Sequence, residues 1–390
     1  MNYFSAIDQG TTSSRFIVFD EDGKVVDQHQ EEFNQYLPDQ YSVEHNPEEI
    51  WKSVENCINE VLTRVDIKDI KSVGITNQRE TTIAWSKSTG KPFYNALVWQ
   101  DTRTQDICDE IISNNKLKED FKKTGLPIAT YFSLSKIIWL INNVSDVKNA
   151  LKNNDVIFGT VDSWLIYKLN GTIQTDVTNA SRTLLFDLET LSWNENILNE
   201  YNIPKNSLPQ IKPSLGNFGT CKYILENIPI TAVLGDQQAS LFGQQCFQRG
   251  SVKNTYGTGC FALTNTGDDI IYSNNGLLTT VAYKYGDKKA SYAIEGSVAI
   301  AGAAVQWLRD NLNIIESSDE IESIALQEKD NGGVYFVPAF SGLFSPHWDP
   351  TARGVLVGLS RYSNKKHIAR AVLESVAYQS YELLDSMQKD

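Results

Sequence analysis

Tyr3-Phe4-Ser5-Ala6-Ile7-Asp8-Gln9-Gly10-Thr11-Thr12-Ser13-Ser14-Arg15-Phe16-Ile17-Val18-Phe19 is two short apolar runs joined by a polar hinge. That pattern predicts strand, tight turn, strand. Gly10 allows the backbone to approach a ligand closely, and the Thr and Ser hydroxyls with the turn's N–H groups form a neutral cradle for phosphate oxygens. Asp8, at the end of the first run, stands where a Mg²⁺ ion would need a carboxylate oxygen. An ordinary hairpin with a hydroxyl-rich turn is the plainer reading of these residues taken alone, so the rest of the chain has to decide.

At 390 residues the chain exceeds what one core usually organises, and two domains are expected. Its 41% hydrophobic and 21% charged residues fit a soluble globular protein, and no apolar stretch is long enough for membrane insertion. A formal charge of -13 argues against nucleic acid as a partner, because phosphate backbones select basic surfaces. No secretory signal precedes the first strand, and the five cysteines lack CxxC pairing, so structural zinc and disulfides are not expected and a cytoplasmic location is. With four histidines in the chain, a catalytic base is more readily a carboxylate.

Along the chain, Glu21-Asp22-Gly23-Lys24 signals a hairpin and residues 25–33 a third strand. Asn46-Pro47-Glu48-Glu49 opens a helix that runs to about Arg64. Thr76-Asn77-Gln78-Arg79-Glu80-Thr81-Thr82 is wholly polar yet lacks the Gly or Pro of a tight turn. Its adjacent Arg and Glu suit the hydroxyls of a neutral polyol, or else form a weak ion pair in a solvated connection. Residues 131–143 have helical spacing with Ser133 as a cap, and the polar run 176–182 carries no obvious chemistry. A short strand at 232–234 ends in Gly235-Asp236-Gln237-Gln238, with helix-forming residues from 239 to 246. Asp236 is therefore either a helix cap or a ligand group at a strand's carboxyl end. The boundary falls in 248–253, giving domains 1–250 and 251–390. Asn254-Thr255-Tyr256-Gly257-Thr258-Gly259-Cys260-Phe261 then repeats the Gly/Thr turn of the opening hairpin. Residues 294–308 read as a strand passing into a helix, and 367–387 as a closing helix.

Two Gly/Thr turns in successive domains suggest a grip on one polyphosphate. There is no Walker lysine motif, no protein-kinase catalytic loop and no serine-hydrolase elbow. What is left is a two-domain phosphotransferase with a carboxylate base.

The residues resemble the FGGY family of carbohydrate kinases, in the actin and hexokinase superfamily. Four segments carry the resemblance in order: 8–15, 75–82, 235–238 and 254–261. Residues 131–143 and 354–374 look like the family's two signatures, and Arg79-Glu80 places the likeness nearest to members that phosphorylate glycerol. The resemblance implies an α/β fold: two actin/hexokinase (ribonuclease H-like) domains with mixed sheets around a central cleft, the second incomplete. It implies ATP-dependent, in-line phosphorylation of glycerol to sn-glycerol 3-phosphate, the first step of glycerol catabolism, with Mg²⁺. It assigns Thr11, Thr12, Ser13, Arg15, Thr258, Gly302 and Gln306 to ATP or ADP. Arg79, Glu80, Tyr131, Asp236 and Gln237 take the glycerol hydroxyls, with Trp99 and Phe261 against its carbons. Asp236 is then the general base, and Asp8 organises Mg²⁺ through water.

The sequence departs from the family in three places. Ala129-Thr130 replaces the usual Asp-Pro before Tyr131. Residues 219–229 lack both the Gly- and Arg-containing loop that binds fructose 1,6-bisphosphate in some bacterial relatives and the histidine phosphorylated in others. The chain also stops at Asp390, before the segment that completes the adenosine side of the family's pocket. From that end follow two expectations: tighter binding of glycerol than of ATP, and exposure of Val372, Val376 and Leu383 on the last helix. Other FGGY sugar kinases and a non-catalytic polyol-binding fragment are the alternatives, and homo-oligomer formation is left open.

Overall fold

The computed structural model describes residues 1–340 and 342–390. Two compact units divide the chain: Met1–Phe242 with Thr280–Tyr292, and Gly243–Thr279 with Ala293–Asp390.

In the first unit, β1 (Tyr3–Gln9) and β2 (Ser13–Phe19) form the expected antiparallel hairpin, with Asp8 opposite Arg15. Alternation puts Ile7, Phe16 and Val18 in the core. β3 (Val25–Glu32) pairs with β2. α1 (Pro47–Leu62) starts where its sequence says: the Asn46 side chain accepts from the Glu48 N–H and Pro47 occupies the first turn. Its buried Ile50, Val54, Cys57, Ile58 and Val61 recur at helical spacing and pack on the sheet. β4 (Ile70–Asn77) is parallel to β1, and β5 (Thr82–Ser86) leaves for a second sheet. α2 (Ser133–Asn143) follows, then β6 (Val156–Thr160), paired with β5, α3 (Val161–Asn170) and the single turn α4 (Val177–Ala180). β7 (Ile230–Gly235) joins parallel to β4, and α5 (Asp236–Gly243) begins at the next residue.

The main sheet therefore has the order β7-β4-β1-β2-β3. Its three parallel strands end at Gln9, Asn77 and Gly235, which are in register. Carboxyl ends of parallel strands are where such sheets hold ligands.

The second unit opens with the β8 (Val252–Tyr256) and β9 (Cys260–Gly267) hairpin. β10 (Leu278–Lys284) and β11 (Ala290–Val298) follow in the chain, with residues 280–292 counted in the first unit. α6 (Gly302–Asp310), a short ribbon of β12 (Tyr335–Val337) and β13 (Val355–Val357), and α7 (Lys365–Lys389) complete the second unit. Among the described residues no helix is long and apolar enough to cross a membrane.

Val372 and Leu383 correct the expectation for the last helix, since both are fully buried. Val372 packs with Leu308, Val334 and Phe336, and Leu383 with Cys260, Ile294 and Val298; Val376 is partly buried beside the same cluster. Tyr378, Tyr381 and Leu384 carry the exposed apolar surface instead. A stripe through 372, 376, 383 and 387 keeps helical period, so these residues share the face that the unit itself covers.

Candidate functional site

The turn between β1 and β2 is closed by the Gly10 N–H on the Ser13 carbonyl, 2.9 Å. A Cβ on Gly10 would stand 3.2 Å from that same oxygen. The Gly10 carbonyl accepts from two side-chain amides, Gln9 Nε2 at 2.7 Å and Gln78 Nε2 at 3.0 Å. Because a trans peptide holds its C=O and N–H on opposite sides, the Thr11 N–H is turned away from these amides. Thr11 Oγ1 accepts from Trp99 Nε1 at 3.0 Å, Ser13 Oγ from Gln30 Nε2 at 2.8 Å, and Thr12 is exposed. Arg15 is held beside them by Gln30 Oε1.

The polar run after β4 is no solvated connection. Arg79 and Glu80 are 3% and 2% exposed, and Glu80 takes a left-handed φ of 59° without being glycine. Strain of that kind persists when surroundings over-determine it. Here the Glu80 carbonyl accepts from Ser133 Oγ and Thr82 Oγ1, and its carboxylate meets Arg182 Nε at 2.6 Å. Ser133 thus fixes Glu80, and no side-chain bond caps α2. Fully buried Arg182 also lies over the rings of Tyr131 (5.6 Å) and Phe132 (5.4 Å). Trp99 meets Tyr131 edge-on, with centroids 5.7 Å apart. Ahead of Tyr131, where Ala129-Thr130 stands, the Thr130 carbonyl is anchored by buried Lys136, whose ammonium burial pulls down to about 8.

Asp236 is the first residue of α5, and its side chain is 37% exposed. Rather than capping the helix, its carboxylate faces Arg79 Nε at 3.2 Å and takes the Gln237 N–H and Nε2 at 2.7 and 3.1 Å. Arg79 is braced from behind by Gln238 Oε1 at 3.2 Å. Gly235 is required by this approach: a Cβ there would sit 2.7 Å from Arg79 Cδ. Burial pushes the Asp8 carboxyl above its ordinary value, Arg15 pulls it down, and Asp236 pushes it up, so the two carboxylates feel each other. Among the described residues no group of three His, Cys, Asp or Glu forms a metal cage. One carboxylate with a second beside it, next to a phosphate-sized turn, is the donor set that suits Mg²⁺, which keeps waters and phosphates as its other ligands.

In the second unit, the Gly257-Thr258-Gly259 turn packs on the start of α6. The Thr258 carbonyl accepts from the Ala301 and Ala303 N–H groups at 2.8 and 3.1 Å, and that of Gly257 from the Gly302 N–H at 2.9 Å. A Cβ on Gly302 would stand 2.6 Å from the Gly257 oxygen. Gln306 is one turn further along α6, and Phe261 is half-buried on β9 with its carbonyl on Lys253 Nζ.

The first unit thus assembles Asp8, Thr11, Ser13, Arg15, Arg79, Glu80, Trp99, Tyr131, Asp236 and Gln237, and the second unit joins Thr258 to Gly302. Sequence reasoning gave Gln78 and Arg182 no role, took Ser133 for a helix cap, and read 176–182 as without obvious chemistry. Asp176 before Thr178-Asn179 does carry a helix-start pattern. What it braces could not be read from it.

Residues 3–243 match the N-terminal domain of the FGGY family of carbohydrate kinases, and residues 252–390 its C-terminal domain. Glycerol kinase of Chloroflexus aggregans is 53% identical over 395 residues, covering 100% of this chain and 79% of its own length. Glycerol kinase of Pseudarthrobacter chlorophenolicus is 51% identical over 397 residues, with the same coverage. The crystal structure of Plasmodium falciparum glycerol kinase with ADP superposes with a TM-score of 0.91 at 41% identity, over 100% of this chain and 79% of that one. Ligand-bound xylulose kinase from Lactobacillus acidophilus, at 22% identity and a TM-score of 0.88 over 99% of this chain and 78% of that one, shares the fold.

Proposed function

The chain belongs to the FGGY family of carbohydrate kinases, two-domain mixed α/β transferases of the actin and hexokinase type, and on that premise we propose that it transfers the γ-phosphoryl group of ATP to glycerol, giving sn-glycerol 3-phosphate and ADP. One observation carries the choice of acceptor. The buried Arg79, Glu80 and Arg182 cluster reaches the half-exposed Asp236 on one side and the Trp99 and Tyr131 rings on the other. A three-carbon polyol needs those two walls: charged donors and acceptors for its hydroxyls, and ring faces for its carbons. The likeness to named glycerol kinases, one of them solved with ADP, supports the same reading.

Phosphoryl transfer is mostly positioning and charge stabilisation. Arg79, Glu80, Tyr131 and Gln237 orient the hydroxyls, and Trp99 and Phe261 pack the carbon chain. Asp236 accepts the proton of the attacking hydroxyl as its oxygen bonds to phosphorus and the bond to the ADP oxygen breaks. Thr11, Thr12, Ser13 and Arg15 hold phosphate oxygens on the first domain (1–250), and Thr258, Gly302 and Gln306 contact the nucleotide from the second (251–390). Mg²⁺, when bound, neutralises charge on the phosphates, and Asp8 would hold it through water. The reaction is the entry step of glycerol catabolism in the cytoplasm.

Coupled measurement of ADP release with glycerol, xylulose, gluconate and no acceptor tests this. Glycerol-dependent release well above the other three is the expected result. Equal release with and without glycerol would refute it.

A further inference from the structure

We propose that Thr178, oriented by the buried carboxylate of Asp176, is a positioning residue that sets Asp236 for proton abstraction. Asp176, Thr178 and Asn179 are all 0% exposed. The Asp176 carboxylate caps α4 and, besides a hydrogen bond from the Ser214 side chain, takes four donors from this turn: the Thr178 and Asn179 N–H groups at 2.9 Å each, the Thr178 hydroxyl at 2.9 Å and Asn179 Nδ2 at 3.0 Å. Each of the two residues it holds then reaches a strand end. Thr178 Oγ1 accepts from the Gly235 N–H at 2.9 Å. Asn179 Oδ1 accepts from Asn77 Nδ2 at 2.9 Å.

Gly235 and Asn77 are register partners and the last residues of β7 and β4. Asp236 follows the first directly, and Arg79 lies two residues beyond the second. One helical turn therefore clamps, side by side, the two strand ends that deliver the base and the guanidinium facing it. The direction of the chain of bonds is set by chemistry. A hydroxyl has one proton, and a carboxylate accepts only, so the Thr178 proton goes to Asp176 and a lone pair faces the Gly235 N–H. Removing that hydroxyl leaves the buried Gly235 N–H, in the peptide just before the one that carries Asp236, without its partner. A displacement of about 1 Å at a reacting group is worth on the order of 10² in rate.

The inference rests on Asp236 as the base, and the experiment separates the two. Turnover with glycerol and ATP is measured for wild type, T178V, T178S, D176N, D236N and the T178V/D236N double variant. T178V, which keeps shape and loses the hydroxyl, is expected to lower kcat roughly 10- to 100-fold with KM for ATP within about twofold, while T178S stays within about threefold of wild type. In the D236N background T178V is expected to cost less than about threefold, because a residue acting through Asp236 has nothing left to position. D176N, which withdraws the carboxylate, is expected to lower kcat by about tenfold at unchanged KM for ATP, and decides the matter if T178V does not fold. Wild-type kcat in T178V or D176N, T178S as impaired as T178V, or fully multiplicative losses in the double variant would each overturn the proposal. Wild-type turnover in D236N would instead overturn the assignment of the base.

Discussion

Glu80→Gln separates what holds the site together from what performs the chemistry. An exposed ion pair would be worth about 0 to 1 kcal/mol. The Glu80 carboxylate and Arg182 guanidinium are 2% and 0% exposed and 2.6 Å apart, so removing the negative charge leaves a cation in the interior. Breaking such a pair costs about 3 to 5 kcal/mol. Glutamine retains an oxygen for Arg182 Nε, which places the loss near the lower end, about 3 kcal/mol. For a unit of this size that is a fall of roughly 6 to 12 °C in Tm. The polyol would also lose a charge-assisted hydrogen bond, raising KM for glycerol roughly 10- to 100-fold while KM for ATP holds. Asp236→Asn is the contrast, since its side chain is 37% exposed and its buried partner Arg79 keeps the Glu80 carboxylate at 4.0 Å. Thermal melts of both variants, with steady-state kinetics in each substrate, give the answer. An E80Q protein melting within about 2 °C of wild type, or one whose two KM values rise together, would refute the reasoning.

Asp236→Asn is expected to lower kcat by roughly 10² to 10⁴ with little change in KM for ATP, measured by coupled ADP release. Gly235→Ala is expected to raise KM for glycerol by roughly tenfold, because its Cβ would press to 2.7 Å from Arg79 Cδ; an unchanged KM shows that Arg79 moves freely. Burial, with Asp176 as the nearby charge, pushes the Asp162 carboxyl from 3.8 up to about 7, so the folded chain keeps a proton that the unfolded chain releases. Stability is thus expected to fall as pH rises from about 4 to about 7, and Asp162→Asn to flatten that slope in urea unfolding at pH 5 and pH 8. Fructose 1,6-bisphosphate is expected not to inhibit, since 219–229 offers Lys222 as its one cation against Glu226; inhibition lost on mutating that loop would contradict this.

Several elements were written locally. The two apolar runs around Gly10 are a hairpin in any setting, and Asn46-Pro47 starts a helix through its own side chain and ring. Gly235-Asp236 at a strand's end, and the Gly/Thr turn repeated at 257–259, were enough to bring a phosphotransferase into view. The tertiary structure decided which polar runs are interior. Arg79-Glu80 reads equally as a surface pair until Arg182, 102 residues away, closes on Glu80, and Ser133 reads as a cap until its hydroxyl meets the Glu80 carbonyl. The run from Asp176 to Arg182 shows no obvious chemistry in the sequence, yet its residues brace the strand ends at Asn77 and Gly235. Propensity and periodicity act between neighbours in sequence, and they place strands and helices. Burial of a charge or an amide is tolerable only when distant partners satisfy it, and those partners exist only once the chain has folded.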